Sequence, residues 1–511
     1  MTPIDVASPA GMIIGLLPEA VLSFWGIVVL LVAGARHRSQ EDQRLAGHLA
    51  LVGLVSALLV TMYLWVERPG LAGLAHMVSI DSFRYVATAV ILGGAIMAVV
   101  VSLGYLGREG ILIPEYYALL LFGVVGMTLL CAASDLITVF LGIELMSLCV
   151  YVLVGVDRRS SASAEAALKY FLLGAFAAGF LLYGIALIFG ATGTTNLTII
   201  AARVTSLGLE TNVMLLAGVG LLLVGFAFKV AAVPFHMWTP DVYDGAPTPV
   251  TAFMAAAVKA AAFAAMVRVF TVAFADAAHT WQGAMWWLAL ITMLGGNLMA
   301  LSQRNVKRML AYSSIGHAGY LLAAVASNTI AGAGAFLFYA IAYTLMTIGA
   351  FTVVGMAGRN GERDLTAEDL AGLGRVKPWL AFAMAVFMLS LLGFPGTAGF
   401  IGKWLILMSV VESGQWGLAL GLVVASLISA GFYLPVIMQM YMRPVVGEQA
   451  HQQVVANNTT RVVVAVAAAL LIWFGLRPNE MLAVSEDASR DLVSRETLTL
   501  ERSQAIDPGR P

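Results

Sequence analysis

The chain has 511 residues, of which 60% are hydrophobic and only 11% charged. A soluble globular protein carries roughly 25% Asp, Glu, Lys and Arg, so a soluble enzyme and a disordered chain are both excluded. With 28 Lys+Arg against 29 Asp+Glu there is no basic surplus to neutralise nucleic-acid phosphates, and a mean hydropathy of +0.90 fits an all-α polytopic membrane protein.

A membrane helix needs about 20 mainly apolar residues, each rising ~1.5 Å across a ~30 Å hydrocarbon layer. Apolar runs between polar punctuation predict about fourteen spans: 11–34, 48–66, 84–105, 115–132, 134–154, 165–190, 213–236, 248–272, 284–302, 309–327, 331–357, 378–411, 417–442 and 460–477. The first run reads as a span rather than a cleavable signal. It lacks a basic leader and contains Pro18 and Glu19. Glu19 suits the dipole at a helix N-terminus and is expected to be structural. The fifth span starts at Ser134-Asp135, a capping pair. Cys131 and Cys149 lie in apolar runs and read as packing residues, with neither a disulfide framework nor a paired-thiol metal site.

Alternate loops carry the basic residues: Arg36, Arg38 and Arg44; Arg108; Arg158 and Arg159; Arg304, Lys307 and Arg308; Arg359, Arg363, Arg375 and Lys377; and Arg443. The opposite loops carry little beyond Arg68 and Arg203. The positive-inside rule puts the rich set in the cytoplasm, and an even span count puts both termini on the other side. The polar tail after 478 is expected to be a loosely ordered extension. The longest internal polar stretch, 358–377, is too short for a soluble domain, and no P-loop or cysteine-ligated cluster is present.

A charge at the bilayer centre costs at least ~3 kcal/mol on insertion scales, so an ionisable residue deep in a span is a functional candidate. Glu144 lies in LGIELMSLCVY, Lys169 in EAALKYFLLGAF, and Lys229 and His236 flank Pro234 in FKVAAVPFH. Lys259 sits among alanines, His317 in AYSSIGHAGY, and Lys403 in GFPGTAGFIGKW. Acid, lysine and histidine spread over many helices have the composition of a proton relay. Desolvation disfavours a charged lysine and a nearby carboxylate favours it, so moving a proton on one changes the proton affinity of the other. Bland readings stand beside these. Glu144 and Lys169 could be a static salt bridge, and His317 an ordinary interhelical hydrogen bonder. Arg268, near the end of its span, reads as an interface anchor. The many Trp, Tyr and Met residues are assigned no chemistry.

Two spans are interrupted, at Val233-Pro234 and at Gly393-Phe394-Pro395-Gly396. Non-helical backbone at membrane depth is tolerated only inside protein or along a wet cavity. Interrupted helices in matching positions of two halves point to an ion path built from inverted repeats. Here the breaks fall in the seventh and twelfth spans, so spans 4–8 and 9–13 would form two five-helix repeats. Lys229 precedes its break and Lys403 follows its break, so the match is one of architecture.

The motifs LLPEAVL, Asp81-Ser82-Phe83, LGIEL, HMWTPDVYDGAPTP (236–249), QRNVKRMLAYSSIGHAGY (303–320) and the Lys403 segment resemble the antiporter-like membrane subunits of respiratory complex I, the proton-pumping NADH–quinone oxidoreductase. Within that family the subunit N branch is the most similar, because of DVYDGAP and of Lys403 where subunit M is expected to have Glu. The resemblance runs from about residue 16 to 442. It implies relay roles for Glu144 with Lys169 as its partner, for Lys229 with His236, for the central Lys259 and for Lys403 at the exit.

The implied organisation is an N-terminal three-helix segment (1–110), two antiporter-like repeats (111–275 and 280–445), a C-terminal span (446–480) and a polar tail (481–511). The implied function is proton translocation coupled to electron transfer from NADH to quinone in other subunits. No cofactor is expected in this chain, with FMN, iron–sulfur clusters and quinone held by partner subunits. The expected partners are neighbouring antiporter-like subunits, small helical subunits and the lipid bilayer of a bacterial inner membrane, and no nucleic acid. Two rivals are a subunit of a multi-subunit cation/proton antiporter and a non-transporting scaffold, against which the buried charges argue; the membrane arm of a related hydrogenase would use a similar chain too.

Overall fold

The computed structural model describes residues 14–35, 39–67, 77–358, 365–445 and 458–506, with side chains placed up to 492. Arg36, Arg38, Arg68, Arg359 and Arg363 therefore lie outside the described residues. The chain is all-α. In order, the helices are α1 (Leu17–Ala35), α2 (Gln40–Glu67), α3 (Ser82–Arg108), α4 (Glu115–Ala132), α5 (Leu136–Val154), α6 (Ser161–Thr192) and α7 (Leu197–Ser206). They continue as α8 (Val213–Lys229), α9 (Thr239–Gly245), α10 (Thr248–Ala273), α11 (Ala278–Leu301), α12 (Val306–Ala326) and α13 (Ile330–Ala357). The last are α14 (Pro378–Leu392), α15 (Ala398–Glu412), α16 (Trp416–Met442), α17 (Asn458–Leu476) and α18 (Asn479–Ile506).

Among the described residues, twelve helices are long and apolar enough to cross a membrane. The predicted twelfth span is two shorter helices, α14 and α15, and the predicted seventh (213–236) is α8 followed by the non-helical break that leads to the short α9. Caps set where helices begin. Asp81, Asp135, Ser160, Asn196, Asn305 and Thr329 each accept a hydrogen bond from a first-turn N–H, satisfying donors that the helix itself leaves open.

Loop-to-loop contacts tie the two ends of the bundle. At one end Leu136 N–H donates to Thr195 O (2.9 Å), and Asp135 bridges Asn196. At the other, Val306 N–H donates to Leu365 O (2.8 Å), and Asn305 bridges Thr366. In each case a capped helix start is stapled to the segment that follows the next span. The Asn305 end also carries Arg108, whose guanidinium donates to Gly355 O, and Arg159, which donates to Glu109 O.

Burial is concentric. Helix α10 is wholly buried, and α12 and α13 nearly so, whereas α1, α2, α6 and α17 turn much of their surface outward. Hydrophobic faces all round are what lipid-exposed helices require. Without a hydrophobic force between helices in lipid, close approach depends on small residues. Helices α4 and α5 meet at Gly126 and Gly142, where a Cβ on Gly126 would lie 2.5 Å from Met146 N. Helices α11 and α12 meet at Gly296 and Gly316, where a Cβ on Gly296 would strike the Gly316 backbone.

The tail after 478 is a helix as far as Ile506, not a loose extension, and 507–511 lie outside the described residues. Ala488 and Leu492 are buried with Ser485 and Ser489, and Asp491 accepts from Ser82 N–H (2.7 Å) at the start of α3. Small side chains let α18 lie close to Gly334 of α13. Arg268 is not an interface anchor but is fully buried, with its guanidinium paired to both oxygens of Asp81 (2.6 and 2.9 Å). A carboxylate partner offsets the desolvation of a guanidinium, which stays charged at any working pH. Glu19, in the first turn of α1 as expected, also receives Arg84 (3.0 Å).

Candidate proton path

The first break opens α8 just after Lys229. The backbone turns at Ala231, whose φ of 63° is unusual for a residue with a side chain, and runs through the cis Val233-Pro234 bond. Carbonyls freed at the helix end find new donors. Trp238 Nε1 donates to Phe228 O (3.1 Å), while Val233 N–H reaches Thr292 Oγ1 (2.9 Å). The Lys229 ammonium is buried at this C-terminal end and lies over the rings of Tyr151 (5.4 Å) and Tyr170 (5.5 Å). Both the helix dipole and the ring faces favour a cation there.

Glu144 and Lys229 line one small cavity, whose walls include Gly174, Ala177 and Gly225. The carboxylate interacts electrostatically with Lys229. Small side chains leave the slot open, and Glu144 is half-buried in it. The expected Glu144–Lys169 pair is not formed. Lys169 reaches Glu165 (2.6 Å) and Asp241 (3.1 Å) instead, with its side chain 43% exposed. The reason is position along the helices. Lys169 lies in the early turns of α6 near the Arg159 end, whereas Glu144 lies halfway along α5.

Asp241 explains the DVYDGAP motif. Its carboxylate also accepts from Arg308 (2.9 Å), and Lys307 donates to Ala246 O (2.7 Å) and Asp244 O (3.2 Å). The short α9 is thus held by the first turn of α12. His236 lies in the break, half-buried, with its Nδ1 enclosed and without a hydrogen-bond partner.

Lys259 follows a π-helical turn, Met254–Val258, inside α10. Such turns leave a backbone offset and recur at functional sites. Its ammonium donates to Ser314 O (2.5 Å), contacts Ser314 Oγ, and lies over the Tyr343 ring (5.6 Å). From α12, His317 is buried between Tyr339 and Tyr433.

Lys403 follows the second break, where Gly393 and Gly396 take φ of 88° and 89°, conformations that suit residues without a Cβ. Its ammonium crosses the break to donate to Leu392 O (2.9 Å), the last residue of α14, and lies over Tyr320 (4.7 Å). Lys229 and Lys403, on opposite sides of their breaks in sequence, therefore both place an ammonium at the C-terminal end of a half-helix. The sequence assigned no role to tyrosine, yet Lys229, Lys259 and Lys403 each lie over at least one tyrosine ring, whereas the fourth buried lysine, Lys307, is held by carbonyls at the end of α9.

Lys229, Lys259 and Lys403 thus have two features in common, burial and a facing tyrosine ring; Lys259 and Lys403 also donate to backbone carbonyls. No group of three or more His, Cys, Asp and Glu able to hold a metal is present among the described residues. The arrangement can pass protons between groups that desolvation makes reluctant to stay charged.

A family model described as NADH:quinone oxidoreductase/Mrp antiporter, TM, matches residues 133–429. That range runs from the start of α5 into α16 and includes every candidate relay residue. NADH-quinone oxidoreductase subunit N of Trichlorobacter lovleyi is 47% identical, with 93% of this chain and 96% of that protein covered. The corresponding protein of Gemmatimonas aurantiaca is 45% identical, with 95% of each covered. A chain of respiratory complex I from Thermus thermophilus, solved with bound aureothin, has a TM-score of 0.78 and 36% identity, covering 92% of this chain and all of that one. A chain of the Mrp complex from a Dietzia species shares the fold at a TM-score of 0.82 and 20% identity. The chain belongs to the NADH-quinone oxidoreductase subunit N family, within the wider set of antiporter-like membrane subunits.

Proposed function

We propose that Glu144, Lys229, His236, Lys259, His317 and Lys403 form the proton path of this chain. As its family membership establishes, the chain is a multi-pass, non-redox membrane subunit of a proton-translocating NADH:quinone oxidoreductase, a multi-subunit complex with neighbouring antiporter-like subunits. The observation that carries the proposal is the shared setting of the three lysines, each buried over a tyrosine ring deep in the bundle. A scaffold has no use for cations at such cost. The redox groups, FMN and iron–sulfur clusters with quinone, belong to partner subunits.

Protonation of Lys229 is governed by Glu144 in their common cavity. The proton then passes by way of His236 to Lys259, on to His317, and leaves from Lys403. Lys169 takes part from the Arg308 end through Asp241, not as a fixed partner of Glu144.

The architecture under this path is fourteen spans, with two inverted five-helix repeats at 111–275 and 280–445. An N-terminal segment (1–110), a last span (446–480) and the tail (481–511) flank them. Support comes from the matching staples at Asp135–Asn196 and Asn305–Thr366, which lie at opposite ends of the bundle. Five spans is an odd number, so the second repeat starts on the other face. The face carrying Arg108, Arg159 and Arg308 is cytoplasmic by the positive-inside rule, with both termini on the far side.

The test is Lys229→Ala in membranes containing the intact complex. NADH-driven acidification of inverted vesicles is expected to fall severely while the NADH-oxidising band on a native gel keeps its size and intensity. Pumping at the wild-type rate would refute the path.

A further inference from the structure

His317 lies in α12 between Lys259 and Lys403, and both nitrogens of its ring meet a tyrosine. Tyr339 OH, from α13, is 2.5 Å from Nδ1, and Tyr433 OH, from α16, is 3.1 Å from Nε2. Both tyrosines are fully buried. Tyr433 OH also hydrogen-bonds Ser313 Oγ. Ser313 directly precedes Ser314, whose carbonyl holds the Lys259 ammonium. On the other side, Tyr339 packs on Gly402, the residue before Lys403. Hydroxyl, imidazole and hydroxyl are therefore joined, with Ser313 next to the residue that holds Lys259 and the Tyr339 ring against the residue before Lys403.

We propose that Tyr433 and Tyr339 are proton-relay groups, Tyr433 joining the Lys259 side to His317 and Tyr339 joining His317 to the Lys403 side. This deepens the relay reading above and rests on it. A neutral imidazole has one N–H and one lone pair, and a hydroxyl can donate and accept at once. A proton arriving at Ser313 Oγ displaces the one already there onto the Tyr433 oxygen. Tyr433 passes its own proton to Nε2. The proton on Nδ1 leaves for the Tyr339 oxygen, and the Tyr339 hydroxyl proton moves on towards Lys403. Only O–H and N–H bonds form and break, and every group ends neutral. His317 is left as the other tautomer, and rotation of the hydroxyls and the ring restores the start. The imidazole need not hold a lasting charge in a site shut off from water.

Tyr433→Phe and Tyr339→Phe, made in the intact complex, keep the ring and remove only the hydroxyl. Groups that move a proton contribute roughly 100-fold or more to a rate. NADH-driven pumping is expected to fall at least about tenfold. Its solvent deuterium isotope effect is expected to rise, because the proton step now limits the rate. A merely structural loss would lower the amount or heat stability of the complex and leave the isotope effect alone, and that result would overturn the proposal. If Lys259→Ala stops pumping while both phenylalanine variants pump with a wild-type isotope effect, the tyrosine line is wrong and the lysine path stands. If Lys259→Ala itself pumps normally, the relay reading fails and this proposal with it. Should Tyr433→Phe not assemble, Ser313→Ala removes the next hydroxyl in the line and is expected to raise the isotope effect likewise. Wild-type behaviour there would also overturn the proposal.

Discussion

Two kinds of buried charge stand apart in this chain. Arg268 with Asp81, and Arg84 with Glu19, are closed ion pairs between helices. Lys229, Lys259 and Lys403 instead face rings, carbonyls and hydroxyls. The first arrangement holds charge still, and the second leaves room for a proton to leave. Removing one member of a closed pair strands the other in a low dielectric, which costs about 3–5 kcal/mol. Arg268→Ala is therefore expected to lower the thermal midpoint of the complex sharply, and Asp81→Asn combined with Arg268→Gln to recover part of the loss. A midpoint unchanged in Arg268→Ala would show that the pair contributes nothing. Lys169→Ala should be far milder. Solvent screens its half-exposed ion pairs, so heat stability measured on the same complex should shift little.

At the scale of elements, the spans and both breaks were legible because twenty-residue apolar runs and Pro or Gly interruptions are local signals. The burial cost of a charge likewise singled out Lys229, Lys259 and Lys403 with no structure in hand. What was not legible depends on which helix faces which. The Glu144–Lys169 pairing failed because adjacency in sequence does not set depth along a helix. Arg268 read as an anchor because its partner, Asp81, lies more than a hundred residues away in the chain. Tyrosine carried no signal, since aromatic residues are common throughout membrane helices. The tail was misread because its polar composition hides a narrow face of Ser485, Ala488, Ser489 and Leu492. Truncation after Arg477 should expose the surface of α13 around Gly334 and remove the Asp491 contact to the start of α3. The truncated subunit is expected to assemble into a complex of lower thermal midpoint, and an unchanged midpoint would mean that α18 adds no stability. Gly296→Leu drives a bulky side chain into the α12 backbone and should leave little assembled complex on a native gel. Normal assembly would require the α11–α12 contact to be looser than described.

Across the whole molecule, two broken helices present C-terminal ends to lysines, and a third lysine lies between the two breaks in the sequence. The wholly buried α10 carries that central lysine, with α12 beside it supplying Ser314 and His317. Lipid-facing helices surround this core, and α18 closes over one end. Such a layout keeps the proposed steps at Lys259, His317 and Lys403 away from lipid, while the half-buried Glu144 lies on a helix with exposed Leu141 and Leu148. Coupling would then consist of changing the charge next to Lys229 and letting the remaining groups respond in turn.

The central claim is that protons crossing the membrane through this subunit pass Lys259. The most direct measurement is the number of protons translocated per NADH oxidised, by purified complex in proteoliposomes, for the wild type and for Lys259→Ala. Fewer protons per NADH, or coupled NADH oxidation slowed to a small fraction of its rate with the complex still assembled, is the predicted result. An unchanged ratio at an unchanged rate would contradict the account.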